Sequence, residues 1–282
     1  MHVADEQLVI DGPGFQNTTL LQSNGREAHM LHEDSSEGYT AKTLAPADAT
    51  MLSKLYELDT NRRAIAFRRY LSSWYYFALN PAAMRFGWSR APSLGAGLDV
   101  HGDNLATVLY RVKNLNERLY RHVVKDVQMV EPTLEAVNFI VSPEQTVTPF
   151  VELRDQSRAS WVGLSDGTLR CLGLAFIVET VGEMQQADSG APPVVIIEEP
   201  ENGIYPGQLR RMFDLFEERA PLGQFIFTSH SPYFINLFDG YRESVTLLKR
   251  ENERTKIVRV PSPDDDPDRP LLADEYSMEL IG

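Results

Sequence analysis

The chain has 282 residues, 43% of them hydrophobic, which suits one large domain or a domain with a lobe. A formal net charge of −13 argues against a nucleic-acid-binding surface, because phosphate contacts need clustered Lys and Arg. A lone cysteine, Cys171, excludes a disulfide framework within the chain and fits a reducing cytosol.

Residues 1–45 read as short strands at Leu8–Ile10, Thr18–Leu21 and Ala28–Leu31, punctuated by Gly12, Pro13, Asn24, Gly25 and Gly38. The N-terminus carries Asp5 and Glu6 and has no basic or long apolar region, so it is not read as a signal peptide. Pro46–Leu58 is expected to be a helix, with Ala47, Met51, Leu55 and Leu58 on one face. Arg62, Arg63, Arg68 and Arg69 cluster on the next predicted helix, where a solvated face is a simpler reading than a basic patch. Ala64–Leu79 is dense in aromatics (Phe67, Tyr70, Trp74, Tyr75, Tyr76, Phe77); core packing is expected in preference to a base-stacking platform. Asn80–Gly102 reads as a Pro- and Gly-rich loop. Asp103–Val127 is the clearest amphipathic helix, with Leu105, Val108, Leu109, Val112, Leu115, Leu119 and Val123 as its stripe. The pattern lasts about three heptads and Pro132 follows, so a lobe helix is expected and not a long coiled-coil arm.

Val137–Val141 and Thr146–Leu153 read as strands leading to Leu164-Ser165-Asp166-Gly167-Thr168. Thr168–Val181 is almost wholly apolar and should be a buried helix, with its N-terminal N–H groups and dipole available to an anion. Cys171 lies in this helix and is expected to be a core residue, not a nucleophile. After a polar loop at 185–193, the β-branched run Val194–Ile197 suits a strand buried on both faces, and Glu198 and Glu199 stand just past it. Adjacent strand residues point to opposite sides, so the two carboxylates should do different jobs: one near a metal ion, the other orienting a water. A helix at Gln208–Arg219 leads to a second buried strand, Phe225–Phe227, which ends in Thr228, Ser229 and His230. Together these form a βαβ unit with parallel strands, and ligands gather at the carboxyl ends of such strands. Ser231-Pro232 opens a short helix, and Ser244–Lys249 with Lys256–Val260 reads as a hairpin. Asp264, Asp265, Asp266 and Asp268 lie among prolines and read as a solvated loop, not a metal site. No apolar run approaches the roughly 18 residues that a membrane span needs, so a cytoplasmic chain without a membrane partner is expected.

Each motif has a bland reading when taken singly: a helix N-cap, a strand that happens to end in acids, a structural histidine. Their order, about thirty residues apart, changes the odds. From Leu164 to Pro232 the chain resembles the second half of an ABC-type P-loop ATPase head, in the group of SMC, RecF and OLD-like (overcoming-lysogenisation-defect) ATPases. The resemblance implies an α/β fold: a mostly parallel sheet of P-loop NTPase type with an antiparallel β subdomain (1–45), a helical lobe (46–132) and the ATPase core (133–282). It implies that Ser165, Asp166 and Gly167 are the signature that meets ATP held by a partner head. By the same likeness Glu198 is the Walker B acid for Mg2+ and Glu199 the catalytic base. The D-loop, Glu201 to Pro206, includes Glu201, Asn202 and Gly203, and His230 is the γ-phosphate switch. Asp166 replaces the usual first glycine, Glu198 the commoner Asp, and Tyr205 a frequent His. ATP, a second head (identical or not) and a DNA or effector partner follow as expected partners.

Such a head needs G-x-x-x-x-G-K-[S/T], whose backbone N–H groups cradle the phosphates. The chain has none: Gly97 to Gly102 has the glycine spacing but continues Asp103-Asn104. The expectation is a head without its first strand, P-loop and first helix, whether by a mis-called start, truncation, a split gene or real degeneracy. The end at Gly282 is likewise expected to leave no room for the nuclease domain of OLD proteins. Two rival readings stand beside this one: a non-catalytic subunit that lends its signature in trans, and a metal-dependent nuclease built on Glu198, Glu199 and His230.

Overall fold

The structure, a computed structural model, describes residues 5–13, 15–24, 27–31, 39–43, 50–54, 61–86, 97–143, 147–184, 192–260 and 271–274. The chain divides into two units, Met1–Trp74 with Met184–Pro193, and Tyr75–Glu183 with Val194–Gly282.

In the first unit, β1 (Glu6–Gly12), β2 (Phe15–Ser23), β3 (Glu27–Leu31) and β4 (Tyr39–Thr43) form an antiparallel sheet in that order. The first three match the expected strands; β4 was not foreseen. Leu21, Ala28 and Met30 pack with Met51, Ala64 and Ile65 to make the core of this unit. Part of the predicted Pro46–Leu58 helix is a single 3-10 turn at Leu52–Lys54, and residues 46–49 and 55–58 lie outside the described residues. Both Glu6 oxygens accept from this turn, from Met51 N at 2.7 Å and Leu52 N at 3.1 Å. Helix α1 (Arg62–Ser72) buries only Ala64 and Ile65.

The aromatic run departs from the core-packing expectation. Helix α1 ends at Ser72 and the chain turns into a strand, β5 (Trp74–Phe77), whose alternation sends only Phe77 into the core. Phe67, Tyr70, Trp74 and Tyr76 are all exposed, and Tyr70 meets Trp74 edge-on at 5.7 Å.

In the second unit, helix α2 (Pro81–Phe86) stands inside the predicted Asn80–Gly102 loop. Asn80 Oδ1 accepts from Ala82 N at 3.0 Å and Pro81 fills the first helical position, a start signal that the Pro-rich composition masked. The single helix expected at Asp103–Val127 is two: α3 (Leu105–Leu115) and α4 (Glu117–Val130). Asn116 breaks it. Its N–H closes α3 on Val112 O at 2.8 Å, and its side chain caps α4 by accepting from Leu119 N at 3.2 Å. Strands β6 (Leu134–Val141), β7 (Val147–Leu153) and β8 (Arg158–Ser160) make a small antiparallel sheet.

Helix α5 (Asp166–Met184) is buried along most of its length, as its apolar sequence requires. Strand β9 (Val194–Glu198) is followed by helix α6 (Pro206–Arg219) and strand β10 (Gln224–Thr228). Strands β9 and β10 pair in parallel from Val194↔Gln224 to Glu198↔Thr228, in a sheet ordered β10-β9-β5. The register puts Val195, Ile197, Phe225 and Phe227 on one face, where Phe216 of α6 meets Phe225 and Phe227 at 5.1 and 5.0 Å. Val194, Ile196, Glu198, Gln224, Ile226 and Thr228 share the other. Helix α7 (Pro232–Ile235) and the hairpin β11 (Thr246–Glu251) and β12 (Arg254–Arg259) follow as expected, and Ile235, Val260 and Leu272 make a satellite core. The acidic stretch with Asp264, Asp265, Asp266 and Asp268 lies outside the described residues.

Candidate active site

The parallel pair delivers its acids to one edge. Glu198 is the last residue of β9, exposed, and its Oε2 accepts a hydrogen bond from the Tyr76 phenol on the neighbouring β5. Glu199 leaves the strand with φ +43°, a left-handed backbone uncommon for a non-glycine residue, while its N–H donates to Thr228 O on β10 at 2.9 Å. Its Oε2 accepts from Asn202 Nδ2, and its Oε1 lies 3.8 Å from His230 Nε2. The imidazole is almost fully exposed. The two acids therefore have separate partners; the cause is the left-handed turn at Glu199, which lies past the end of β9, and not the alternation of strand residues.

The turn after Glu199 ties three motifs together. Glu201 is buried; its Oε1 accepts from Ser229 Oγ at 2.5 Å, and Ser229 Oγ in turn accepts from Ser231 N at 3.0 Å. Its other oxygen, Oε2, is buried with no hydrogen-bond partner among the described residues. Gly203 has φ +75°, and its carbonyl oxygen lies so close to Gly167 that a Cβ there would come within 2.4 Å of it. The glycine at 167 is thus required inside this chain, because the first turn of α5 packs on the turn from Glu199 to Ile204.

Ser165 caps that helix: its Oγ accepts from Thr168 N at 3.0 Å and lies 2.8 Å from Thr168 Oγ1. Asp166 is exposed and paired with Arg85 of α2 at 2.6 Å. Arg85 also donates to Leu164 O at 2.7 Å and Val162 O at 3.1 Å, so one guanidinium fixes the segment before α5. Arg170 is half-buried on α5, and burial holds its guanidinium below the usual range against the opposing charges of Asp166, Glu199 and Glu201.

Tyr76, Arg85, Arg170 and Ser229 are the site residues that sequence reading missed. Ser229 and Arg170 adjoin motifs and were within reach. Tyr76 and Arg85 arrive from segments read as core and loop, and only the fold brings them here. The Tyr76 phenol is pushed above its usual range, first by its hydrogen bond to Glu198, then by burial and by the charge of Glu198. Cys171 is buried and its thiol is pushed up to about 12 by burial, so it packs and does not react. Among the described residues no group of three or more His, Cys, Asp and Glu forms a metal site, and no helix is long and apolar enough to cross a membrane. The exposed carboxylate of Glu198 is of a kind that fits Mg2+, which is commonly held by one or two carboxylates together with waters and substrate phosphates.

A protein-family profile described as "AAA domain, putative AbiEii toxin, Type IV TA system" matches residues 47–236, more than half of the chain. The chain belongs to this family and carries an AAA-type ATPase domain. No curated protein matches it. Among solved structures, one described as "Structural biochemistry of ATP-driven dimerization and DNA stimulated activation of SMC ATPases" is similar over 62% of this chain and 98% of its own, at 14% identity and TM-score 0.44. An Smc head domain with a coiled coil and joint from Pyrococcus yayanosii is similar over 59% of this chain and 29% of its own, at 15% identity and TM-score 0.42. The SMC head domain from Thermotoga maritima is similar over 91% of this chain and 73% of its own, at 14% identity and TM-score 0.38.

Proposed function

We propose that the chain is the signature-, Walker B- and switch-bearing part of an ATPase head that binds and hydrolyses ATP with Mg2+ when a phosphate-binding loop is supplied. The observation that carries this is the meeting of Glu199, His230 and the N-terminal turn of α5 around the turn from Glu199 to Ile204 at the carboxyl ends of parallel strands. In this reading residues 1–45 are the antiparallel part of the head, 46–132 supply its helical lobe together with strand β5 of the core sheet, and 133–282 the rest of the core. Glu198 holds the magnesium ion, which supplies charge neutralisation on the phosphates. Glu199, held by Asn202 on one oxygen, turns the other towards His230, where it orients the attacking water or takes its proton. His230, exposed 3.8 Å away, holds the γ-phosphate. Ser165, Asp166 and Gly167 meet the γ-phosphate of the opposite head with the α5 N-terminus behind them.

Two heads, identical or not, close on ATP and open after hydrolysis, and the output passes to DNA or an effector protein. Work of this kind is mostly positioning and electrostatics, so a missing phosphate cradle leaves little to hold the nucleotide.

Binding of a fluorescent ATP analogue with Mg2+ tests the reading, with Glu199→Gln as the comparison. The chain alone should bind weakly. Adding a P-loop-bearing partner should restore binding, and Glu199→Gln should tighten it by blocking hydrolysis. ATP turnover by the mixture that is unchanged in Glu199→Gln would sink the assignment. A second reading, a non-catalytic subunit lending its signature in trans, is favoured by the exposure of Ser165 and Asp166. It requires that Ser165→Arg abolish the partner's activity while Glu199→Gln leaves it unchanged.

A further inference from the structure

We infer that Tyr76 is a positioning residue for Glu198, holding one carboxylate oxygen so that the other faces a divalent cation. The inference rests on the reading of Glu198 as the metal acid and adds a residue that no motif marks. Tyr76 comes from β5, the strand beside β9 in the sheet, and its phenol donates to Glu198 Oε2. This pins a carboxylate that would otherwise rotate freely at an exposed strand end. The remaining oxygen, Oε1, is left as the open ligand position for a cation that takes one carboxylate oxygen and completes its shell with water and phosphate.

The chemistry of the clamp matters more than its presence. A lysine or arginine at position 76 would fix the same carboxylate and also cancel the charge that attracts the cation. A phenol is neutral, so it orients Glu198 and leaves that charge available. Asn202 does the same for Glu199 with a neutral amide. Outer groups that hydrogen-bond a metal ligand typically change metal affinity about 10- to 100-fold when removed. At Tyr76 a change near the lower end is expected, because the ring is 46% exposed and water can take the place of the hydroxyl.

The test uses the full chain, Mn2+ alone as the probe, and the methyl group of Thr228 as the reporter. Thr228 pairs with Glu198 in the β9–β10 register and shares its face, so bound Mn2+ broadens that methyl resonance in NMR spectra. In the unaltered chain the Thr228 methyl should broaden saturably. Glu198→Gln should abolish the effect. Tyr76→Phe, which removes one oxygen atom, should move the midpoint to about tenfold higher Mn2+ while the other methyl resonances keep their positions. A Tyr76→Phe midpoint equal to the parent's, with Glu198→Gln still abolishing broadening, would overturn the positioning role alone. Broadening that persists in Glu198→Gln, or none in the unaltered chain, would overturn the metal assignment and the Tyr76 role with it.

Discussion

Two groups of acids occupy the second unit in opposite surroundings. At the strand ends Glu198 is exposed and Glu199 half-buried, and their donors are neutral: a phenol and an amide. Between helices α4, α5 and α6, Asp126 and the side chain of Glu179 are buried, and Glu179 meets the Arg219 guanidinium directly and the His122 imidazole at 3.1 Å. Burial pushes the Asp126 carboxyl up to about 7, its hydrogen bond and repulsion with Glu179 add to this, and Arg219 opposes it. The first group keeps its charge on offer to solvent; the second uses its charge internally to join three helices. An acid cluster is a candidate site because of the charge of its partners and its access, and the number of carboxylates says little.

Breaking the internal group should cost most. Arg219→Leu leaves the buried Glu179 side chain without its guanidinium partner, and urea unfolding should register a loss of about 3 kcal/mol. A variant as stable as the parent would mean that Glu179 does not depend on this cation, and the contrast between the two groups would fail. Gly167→Ala disturbs the strand-end group instead: the clash with Gly203 O is with backbone, so about 2 kcal/mol is expected, together with a shifted turn from Glu199 to Gly203.

Asp126→Asn sharpens the comparison through pH. The free carboxyl ionises near about 3.9, and in the folded chain near about 7. Between these values the folded chain holds the extra proton, so stability falls as pH rises from about 4 to about 7 and is level above. Asp126→Asn should flatten that slope and stabilise the chain at pH 8; melting temperatures at pH 5 and pH 8 would reveal a slope that survives. The smallest effect is spectroscopic. Glu198→Gln weakens the hydrogen bond that the Tyr76 phenol makes and removes the charge beside it, so the phenol should titrate closer to its ordinary value of about 10, with stability unchanged.

Where residues act through local pattern, the sequence is legible. The buried β9 strand, the apolar α5 and the β11–β12 hairpin follow from period and composition, and the family membership follows from motif order. Phe225–Phe227, expected to be a strand buried on both faces, is a strand that alternates: Phe225 and Phe227 are half-buried against α6, and Gln224, Ile226 and Thr228 are exposed on the other face. Side chains whose environment is decided far away are not legible. Nothing in Trp74-Tyr75-Tyr76-Phe77 says which ring faces water, because that depends on where α1 stops. Asn116 looked like one polar residue on an amphipathic stripe, yet its short amide competes for backbone groups and splits the helix. Arg85 was hidden in a stretch read as loop, although it holds the segment before α5 from 79 positions away.

The left-handed backbone at Glu199 has a consequence for engineering. A side chain with a Cβ costs about 1 kcal/mol or more in that conformation, whereas glycine adopts it freely. A directed-evolution library screened only for heat resistance would therefore enrich Glu199→Gly. Each such winner would melt later than the parent and would have lost the carboxylate that faces His230.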